Sequence, residues 1–380
     1  MAEVTRALMA RVGVDIAKQV IQVHAVDALG RVVVRRTLKR EQFLAWCAQL
    51  SAGCVVAMEA CSGAHHWGRQ LLGMGMGLQV RLIAPHFVTP YRMQGKGGKN
   101  DANDAAAICE TASRPHMRFV PVKTVQQQAV LAIHVMREGW KEERVALINR
   151  ARAVLSEAGL VFAKSPKVLR AALPEVLEDA SNALSGLARL VLQRALQHWQ
   201  VIDEQMRWCD QQVSTHARED KQARRAAQIV GIGALTASAV VASVGEFAQF
   251  ERADQFGAWL GLVPRQNSSG GKTQLGGITR RGDGYLRTLF IQGAKSAVMS
   301  AHKRQDPVSR WVLALKERLG WQKACVALAN KNARTLWAVM TREVDYDARH
   351  VPLKPQAKQK KPLPPPPAPP PSQAVLAAAA

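Results

Sequence analysis

The chain has 380 residues, 48% of them hydrophobic, and a formal net charge of +23 from 52 Lys+Arg against 29 Asp+Glu. That length and apolar content suit two or three domains with buried cores, and no apolar run approaches the length of a membrane span, which excludes a membrane protein built on spanning helices. The charge points to a polyanionic partner and leaves a merely soluble basic protein as the lesser reading.

The charge is uneven. Residues 1–110 carry 13 Lys+Arg against 8 Asp+Glu, whereas residues 265–342 carry 15 against 3. The C-terminal part is therefore the better candidate for gripping phosphates. Cys47, Cys54, Cys61, Cys109, Cys209 and Cys325 form no C-x-x-C pair. With no signal peptide at the N-terminus, that spacing suggests reduced thiols in a cytosol.

In chain order, Arg11 to Ile16, Val20 to Val26 and Arg31 to Arg35 read as three closely spaced strands, an antiparallel meander turning at Asp27 to Gly30. Glu41 to Leu50 reads as a helix, Cys54 to Glu59 as a fourth strand, His65 to Met74 as a helix and Gln79 to Ala84 as a fifth strand closed by Pro85. A Gly- and Lys-rich run, Gly95 to Lys99, precedes an alanine-rich helix over Lys99 to Glu110. Three strands, then helix, strand, helix, strand, helix, is the order of a ribonuclease-H-like α/β fold.

The acids fall where that fold needs them. Asp15 lies on the first strand, Glu59 ends the fourth, and Asp101 and Asp104 stand three apart on the last helix, so both leave one face. In that topology the first and fourth strands are neighbours and the last helix crosses their ends, which lets four carboxylates converge. Hard divalent ions such as Mg²⁺ (or Mn²⁺) want oxygen ligands, and two such ions clamp both sides of an in-line phosphoryl transfer. Any one acid alone reads equally well as a cap or a surface charge; Asn100 or Asn103 can cap the helix, with Asp101 suited to its dipole.

Residues 124–158 and 181–228 read as long amphipathic helices. Ile133, Trp140, Leu147 and Val154 recur every seven residues in the first, and Leu184, Leu187, Val191, Ala195, Trp199, Ile202 and Met206 mark one face of the second. Pro166 and Pro174 mark the connection. The pair either closes as a hairpin within one chain or pairs between chains, with self-association slightly favoured. His134, His198 and His216 are not spaced as a metal cluster.

Gly231 and Gly233 sit in a Gly-x-Gly turn between helices. A helix-hairpin-helix of this kind points backbone N–H groups at a phosphate, although a tight helix–helix turn reads the same. Helices follow over Ala234 to Val244 and Ala253 to Leu260. Gly261 to Arg287 then reads as a flexible glycine- and serine-rich loop whose Lys272, Arg280, Arg281 and Arg287 suit a phosphate backbone. Ser268 and Ser269 read there either as loop-turning residues or as a nucleophile. The GGKT run at 270–273 lacks the first glycine four residues earlier and the preceding apolar strand of a phosphate-binding P-loop. The chain from Leu286 is helical and basic. The Lys-, Pro- and Ala-rich tail at 352–380 reads as disordered or polyproline-like. The domains expected are 10–122 (α/β), 123–228 (helical coiled coil) and 229–345 (all-α).

Four strings in combination resemble a known family: VGVDIAK at 12–18, MEA at 58–60, KNDANDA at 99–105, and the SSGGK, GGITRRGD and YLR segments between 268 and 287. The chain resembles, over about residues 10 to 342, the insertion-sequence transposases that join an N-terminal RuvC-like acidic nuclease domain to a C-terminal serine-bearing transposase domain and are guided by a bridge RNA. The resemblance implies that Asp15, Glu59, Asp101 and Asp104 hold Mg²⁺ and that a C-terminal serine becomes covalently joined to DNA. The family serine precedes a glycine, which maps to Ser269, with Ser268 as the fallback. It implies target and donor DNA, a noncoding bridge RNA and a homo-oligomer, dimer or tetramer, as partners. It also implies a bacterial cytoplasmic, nucleoid-associated location. The rivals are a junction-resolving nuclease with the same acids and no covalent step, an actin-like sugar or acetate kinase whose second phosphate loop is missing here, and a DNA-binding protein without activity.

Overall fold

The computed structural model of the protein describes residues 9–92, 100–269 and 272–349. The Gly- and Lys-rich run at 95–99, Gly270 with Gly271, and the tail at 352–380 lie outside the described residues.

Strands β1 (Arg11–Ile16), β2 (Val20–Val26) and β3 (Val32–Lys39) form the antiparallel meander. Its first turn is written locally: the Asp27 carboxylate accepts from the N–H groups of Leu29 (2.9 Å) and Arg31 (2.8 Å), and Gly30 takes φ +80°. Helix α1 (Arg40–Cys47), β4 (Val55–Glu59), α2 (Ala64–Gly73), β5 (Gln79–Ile83), the one-turn α3 (Pro85–Val88), α4 (Asp101–Thr111) and a two-residue β6 (Phe119–Val120) complete the unit. The sheet order is β3-β2-β1-β4-β5-β6, with β1, β4 and β5 parallel. The first and fourth strands are neighbours as expected. β6, which pairs antiparallel with β5, is an addition too short to leave a period in the sequence.

Successive side chains on a strand point to opposite faces. Val12, Val14, Val56, Met58 and Leu82 enter one core with Phe43, Trp46, Trp67 and Leu71 of α1 and α2. The intervening Ala57 and Ile83 enter the core on the other face with Ala107 and Ile108 of α4. The alternation therefore sends Gly13, Asp15, Ala57 and Glu59 to the α4 side. A Cβ on Gly13 would stand 2.2 Å from the Ala105 carbonyl oxygen and 2.5 Å from the Cys109 nitrogen, so α4 lies directly on the β1 backbone.

Helices α5 (Val125–Glu157) and α7 (Gly186–Glu219), each about 50 Å long at 1.5 Å per residue, pack along each other within one chain. Arg137–Asp210 (2.6 Å), Arg144–Asp203 (3.0 Å) and Glu143–His198 (3.0 Å) cross the pair. Partner numbers fall on α7 as they rise on α5, so the hairpin is antiparallel. The heptad residues of α5 are only half-buried, and His134, Ile148, Ala151 and Leu155 are the buried ones. On α7, Leu192, Trp199, Ile202 and Met206 are buried, while Leu187 and Val191 face solvent at 73% and 51% exposure. A third helix covers one end of the pair. The Pro166–Pro174 connection folds as α6 (Pro166–Glu178), with Pro166 in the first turn, where its missing N–H is harmless. Its Leu169 and Leu173 fill the end of the hairpin against Leu155, Leu184 and Leu192. The second long segment also breaks at Asp220, which caps α8 (Lys221–Ala227) through the Ala223 N–H (2.7 Å).

The C-terminal body contains α8, α9 (Ala234–Val244), α10 (Ala253–Trp259), α11 (Gly284–Ser300), α12 (Pro307–Leu319) and α13 (Trp321–Thr341), which share one core. Three α13 side chains pin loops: Asn330 donates to Leu262 O (3.1 Å), Asn332 to Val230 O (2.8 Å) and Trp337 Nε1 to Phe250 O (2.9 Å). The stretch read as a flexible loop is instead a β-hairpin, β7 (Pro264–Ser269) with β8 (Lys272–Ile278). It has no alternation of apolar and polar residues to reveal it, because its described side chains, the half-buried Ile278 aside, are exposed on both faces.

Gly13→Ala is expected to push α4 away from β1 and destabilise the protein by about 1–3 kcal/mol or more, the usual cost of overpacking. Urea unfolding followed by circular dichroism measures it; an unchanged midpoint would show that α4 does not rest on β1.

Candidate active site

The four predicted acids reach one place by separate local rules. Asp15 is the fifth residue of β1 and Glu59 the last of β4, both on the α4 face by strand alternation. Asp101 and Asp104 occupy the first turn of α4, whose N-cap Asn100 accepts from the Asn103 N–H at 2.8 Å. Two carboxylates in a first turn suit the helix dipole. With the small residues Ala105 and Cys109 admitting β1, that turn is carried up to Asp15.

The convergence is visible in the charges. Burial, then Asp104, Asp101 and Glu59, push the Asp15 carboxyl up to about 6, and Arg92 alone pulls it down. The other three acids therefore all stand close enough to act on Asp15. The cation among them escaped the sequence reading. Arg92 Nη2 donates to Glu59 Oε2 at 2.6 Å, and its Nε stands 3.0 Å from Asp104 Oδ1. That Nε is buried, and its N–H meets no acceptor at hydrogen-bond geometry among the described residues. Arg92 follows Tyr91 in a short 3₁₀ turn, Thr89–Tyr91, between β5 and α4. The available signal was an arginine in the connection between β5 and the acid-bearing α4.

In number, charge and hardness the four carboxylates fit a divalent ion such as Mg²⁺. Among the described residues, however, no three His, Cys, Asp or Glu side chains already stand in an ion-ligating array. Glu59 and Asp104 are turned to Arg92 instead.

The C-terminal candidates stand apart from this cluster. Ser268 lies on β7 opposite Thr273, and its Oγ accepts from Gln266 Nε2 at 2.9 Å. Ser269 is the last residue of β7 and pairs with Lys272 across the hairpin. Lys272, Arg280 and Arg281 are exposed, with Arg280 at φ +56°. Arg265, opposite Gly276 on the hairpin, joins them as an exposed cation that the sequence reading passed over. Arg287 is half-buried, its Nη1 reaching the carbonyl of Leu260 at a long 3.4 Å. Gly231 has a packing role: φ is +91° and a Cβ would meet Asn332 Nδ2 at 2.9 Å. Gly233 is the exposed N-cap of α9.

The start of α5 joins the two halves. Lys123 N–H donates to His65 Nδ1 (3.1 Å), and Arg69 donates to Lys123 O (2.7 Å) and Gln128 Oε1 (2.6 Å). Asp283, which caps α11 through the Leu286 N–H (2.9 Å), bears electrostatically on Lys123. Further along α5, buried His134 bonds Tyr285 Oη (2.9 Å) and Ser238 Oγ (3.0 Å), and Ser238 also meets His216 (3.0 Å). Burial pushes His134 down to about 4, so it is neutral and serves packing.

An acidic cluster at the end of a mixed sheet, fixed to a strongly basic helical body, is the pattern of an enzyme that acts on nucleic-acid phosphates. Comparison with known proteins narrows that class. A transposase family model, the DEDD type of the IS110 group, matches residues 12–159, and a model described as the transposase IS116/IS110/IS902 family matches residues 223–308. The chain is 46% identical over 339 residues to a probable family 20 transposase of Pseudomonas aeruginosa, covering 89% of this chain and 98% of that one. It is 44% identical to the transposase for insertion sequence element IS1111A of Coxiella burnetii (88% and 90% covered) and 37% identical to that for IS1328 of Yersinia enterocolitica (87% and 96%). The chain belongs to the IS110/IS116/IS902 family of insertion-sequence transposases, and is thus a DNA-processing enzyme.

The Asp15 shift fixes a sign. Between 3.8 and about 6 the folded state binds more protons than the unfolded chain, so stability falls as pH rises through that window. At neutral pH the Asp15 charge is a net cost to folding. Asp15→Asn is expected to stabilise the metal-free protein at pH 7.5 by on the order of 1 kcal/mol, after discounting for partial exposure. The gain should vanish below pH 4. Thermal melts in chelator at the two pH values measure it, and a destabilised variant at pH 7.5 would refute the crowding of charge at Asp15.

Proposed function

We infer that this transposase cuts and rejoins DNA strands through a composite site, in which a ribonuclease-H-like acidic domain works with a serine on the C-terminal hairpin. The observation that carries this reading is the seating of α4 on Gly13, which brings Asp101 and Asp104 to Asp15 and Glu59. In this reading the four acids hold Mg²⁺ or Mn²⁺, and the bound ion supplies Lewis-acid stabilisation of charge on the scissile phosphate and its leaving oxygen.

The chain's own residues supply the rest. Ser269 Oγ bonds to phosphorus, the phosphorus–oxygen bond to the departing strand breaks, and the leaving oxygen takes the proton. The phosphoserine link keeps the ester bond for the reverse step on a new strand. Lys272, Arg280, Arg281 and Arg265 hold the phosphate backbone beside it. A two-stranded hairpin exposed on both faces is marginal in water, so DNA or RNA lying on β7 and β8 gives it the cover it lacks. Gly233 and the N-terminus of α9 are a further phosphate contact, as half of a helix-hairpin-helix.

The hairpin and the acids lie on different bodies of the chain. That separation fits a site completed by bound nucleic acid or by a second subunit of a homo-oligomer. Residues 10–122, 123–228 and 229–345 are the working domain division, with the long antiparallel hairpin as the coiled-coil element. A noncoding bridge RNA that pairs with target and donor DNA would relieve the protein of reading sequence, in a bacterial cytoplasm. The separation also keeps one second reading in play, hydrolysis by the acids without a covalent step.

Strand exchange on the element's ends separates the two. Asp15→Asn and Ser269→Ala are each expected to lower recombination at least about a thousandfold. On a nicked suicide substrate, wild-type protein should give an adduct stable to denaturant, and Ser269→Ala none. Cleavage without any adduct would favour the hydrolytic reading; an adduct retained in Ser269→Ala and lost in Ser268→Ala would move the nucleophile by one residue.

A further inference from the structure

The reading of the four acids as an ion site leaves Arg92 unexplained. Its side chain is 37% exposed, yet its guanidinium is the cation seated against Glu59 Oε2 and Asp104 Oδ1. An arginine cannot lose its charge to make room. A carboxylate oxygen in an ion's coordination sphere stands about 2.0–2.1 Å from Mg²⁺. A divalent ion bonded to Glu59 and Asp104 would therefore share their oxygens with the guanidinium and stand within a few ångströms of it. Like charges at that range repel strongly in a half-buried site.

The arginine is also imperfectly satisfied where it sits. Its Nε lies close enough to Asp104 for an ion pair, but the N–H is aimed away from the oxygen and is buried without an acceptor among the described residues. A fixed structural brace would be expected to use that donor, as Arg69 uses Nη1 on Lys123 O and Gln128 Oε1. Arg92 is held by charge more than by geometry.

We propose that Arg92 is the acidic cluster's own counter-cation, which occupies the ion site of the metal-free protein and is displaced when a divalent ion binds. It rests on the reading of Asp15, Glu59, Asp101 and Asp104 as ion ligands. Arg92 thus sets the affinity for the ion: it steadies four acids that would otherwise repel one another, and it opposes each ion that enters. The exchange makes loading a competition between one charge on the chain and two on the ion. An enzyme that cuts DNA gains from this, since Glu59 and Asp104 keep a charge partner until ion and phosphate arrive together.

The test is Mn²⁺ binding to the purified full chain, followed by calorimetry and by the electron paramagnetic resonance of free Mn²⁺ at constant ionic strength. Arg92→Gln is expected to bind Mn²⁺ about ten- to a hundredfold more tightly than wild type, and to melt at a lower temperature in chelator. Arg92→Lys, which keeps the charge, should stay within about threefold of wild-type affinity and shows whether charge or shape matters. Asp15→Asn serves as the ligand control. Equal or weaker Mn²⁺ binding by Arg92→Gln, with wild type binding normally, overturns the counter-cation while leaving the ion site intact. No Mn²⁺ binding by wild type but binding by Arg92→Gln supports it in its strongest form. Binding by neither, or binding unaffected by Asp15→Asn, overturns the ion site and the counter-cation with it.

Discussion

The contact on which the site depends is backbone against backbone. Gly13 in β1 has no Cβ, and the carbonyl of Ala105 and the amide of Cys109 fill the space one would need. Dispersion and burial hold the two elements together once they can approach: Ala107 and Ile108 of α4 pack on Ala57 and Ile83 in a small core of their own. From that approach follows the position of Asp104 beside Glu59 and the crowding of charge at Asp15. Folding energy from an apolar seam is thus spent in bringing like charges together, the usual relation between a stable scaffold and a strained functional site.

Arg92 gives that relation its local form. Four acids gathered at one end of a sheet need positive charge, and the chain provides one guanidinium from the turn after β5. Among the described residues, one positive charge against four negative ones leaves the cluster anionic. Such a cluster attracts hard cations and repels a bare phosphate backbone, so the positive charge for holding nucleic acid has to come from elsewhere. In the proposed reading it comes from Lys272, Arg280, Arg281 and Arg265, which stand on the exposed hairpin and its exit, in the part of the chain where 15 Lys+Arg face 3 Asp+Glu. The contrast between an anionic cluster on one body and a cationic hairpin on the other makes the seam between them consequential. That seam is built from neutral or singly charged groups, Lys123 with His65 and His134 with Ser238 and Tyr285, and it fixes the start of α5 to both sides.

Much of the fold could be read from the chain because its signals are local. Strand runs ending in an acid, helices with capping residues, and a meander turned by Asp27 and Gly30 all follow from nearest neighbours along the sequence. The misreadings have a common cause. The β7–β8 hairpin carries no apolar face, so strand periodicity had nothing to register, and Gly and Ser read as a loop. Helix α6 begins with a proline that reads as a breaker but sits where a helix tolerates one. The face marked on α7 included Leu187 and Val191, which the structure leaves exposed. Arg92 was invisible because nothing in its neighbours along the chain says that it will stand between Glu59 and Asp104.

The sequence by itself determined which side chains can do chemistry, the order of elements that carries them, and the excess of positive charge in the C-terminal part. Those follow from residue type, spacing and count, which do not depend on distant contacts. Only the tertiary structure decided that Gly13 admits α4, that an arginine holds the acids in place, and that the serines ride on a bare hairpin away from them. These are matters of which backbones can touch, and steric contact between segments a hundred residues apart leaves no period in the chain.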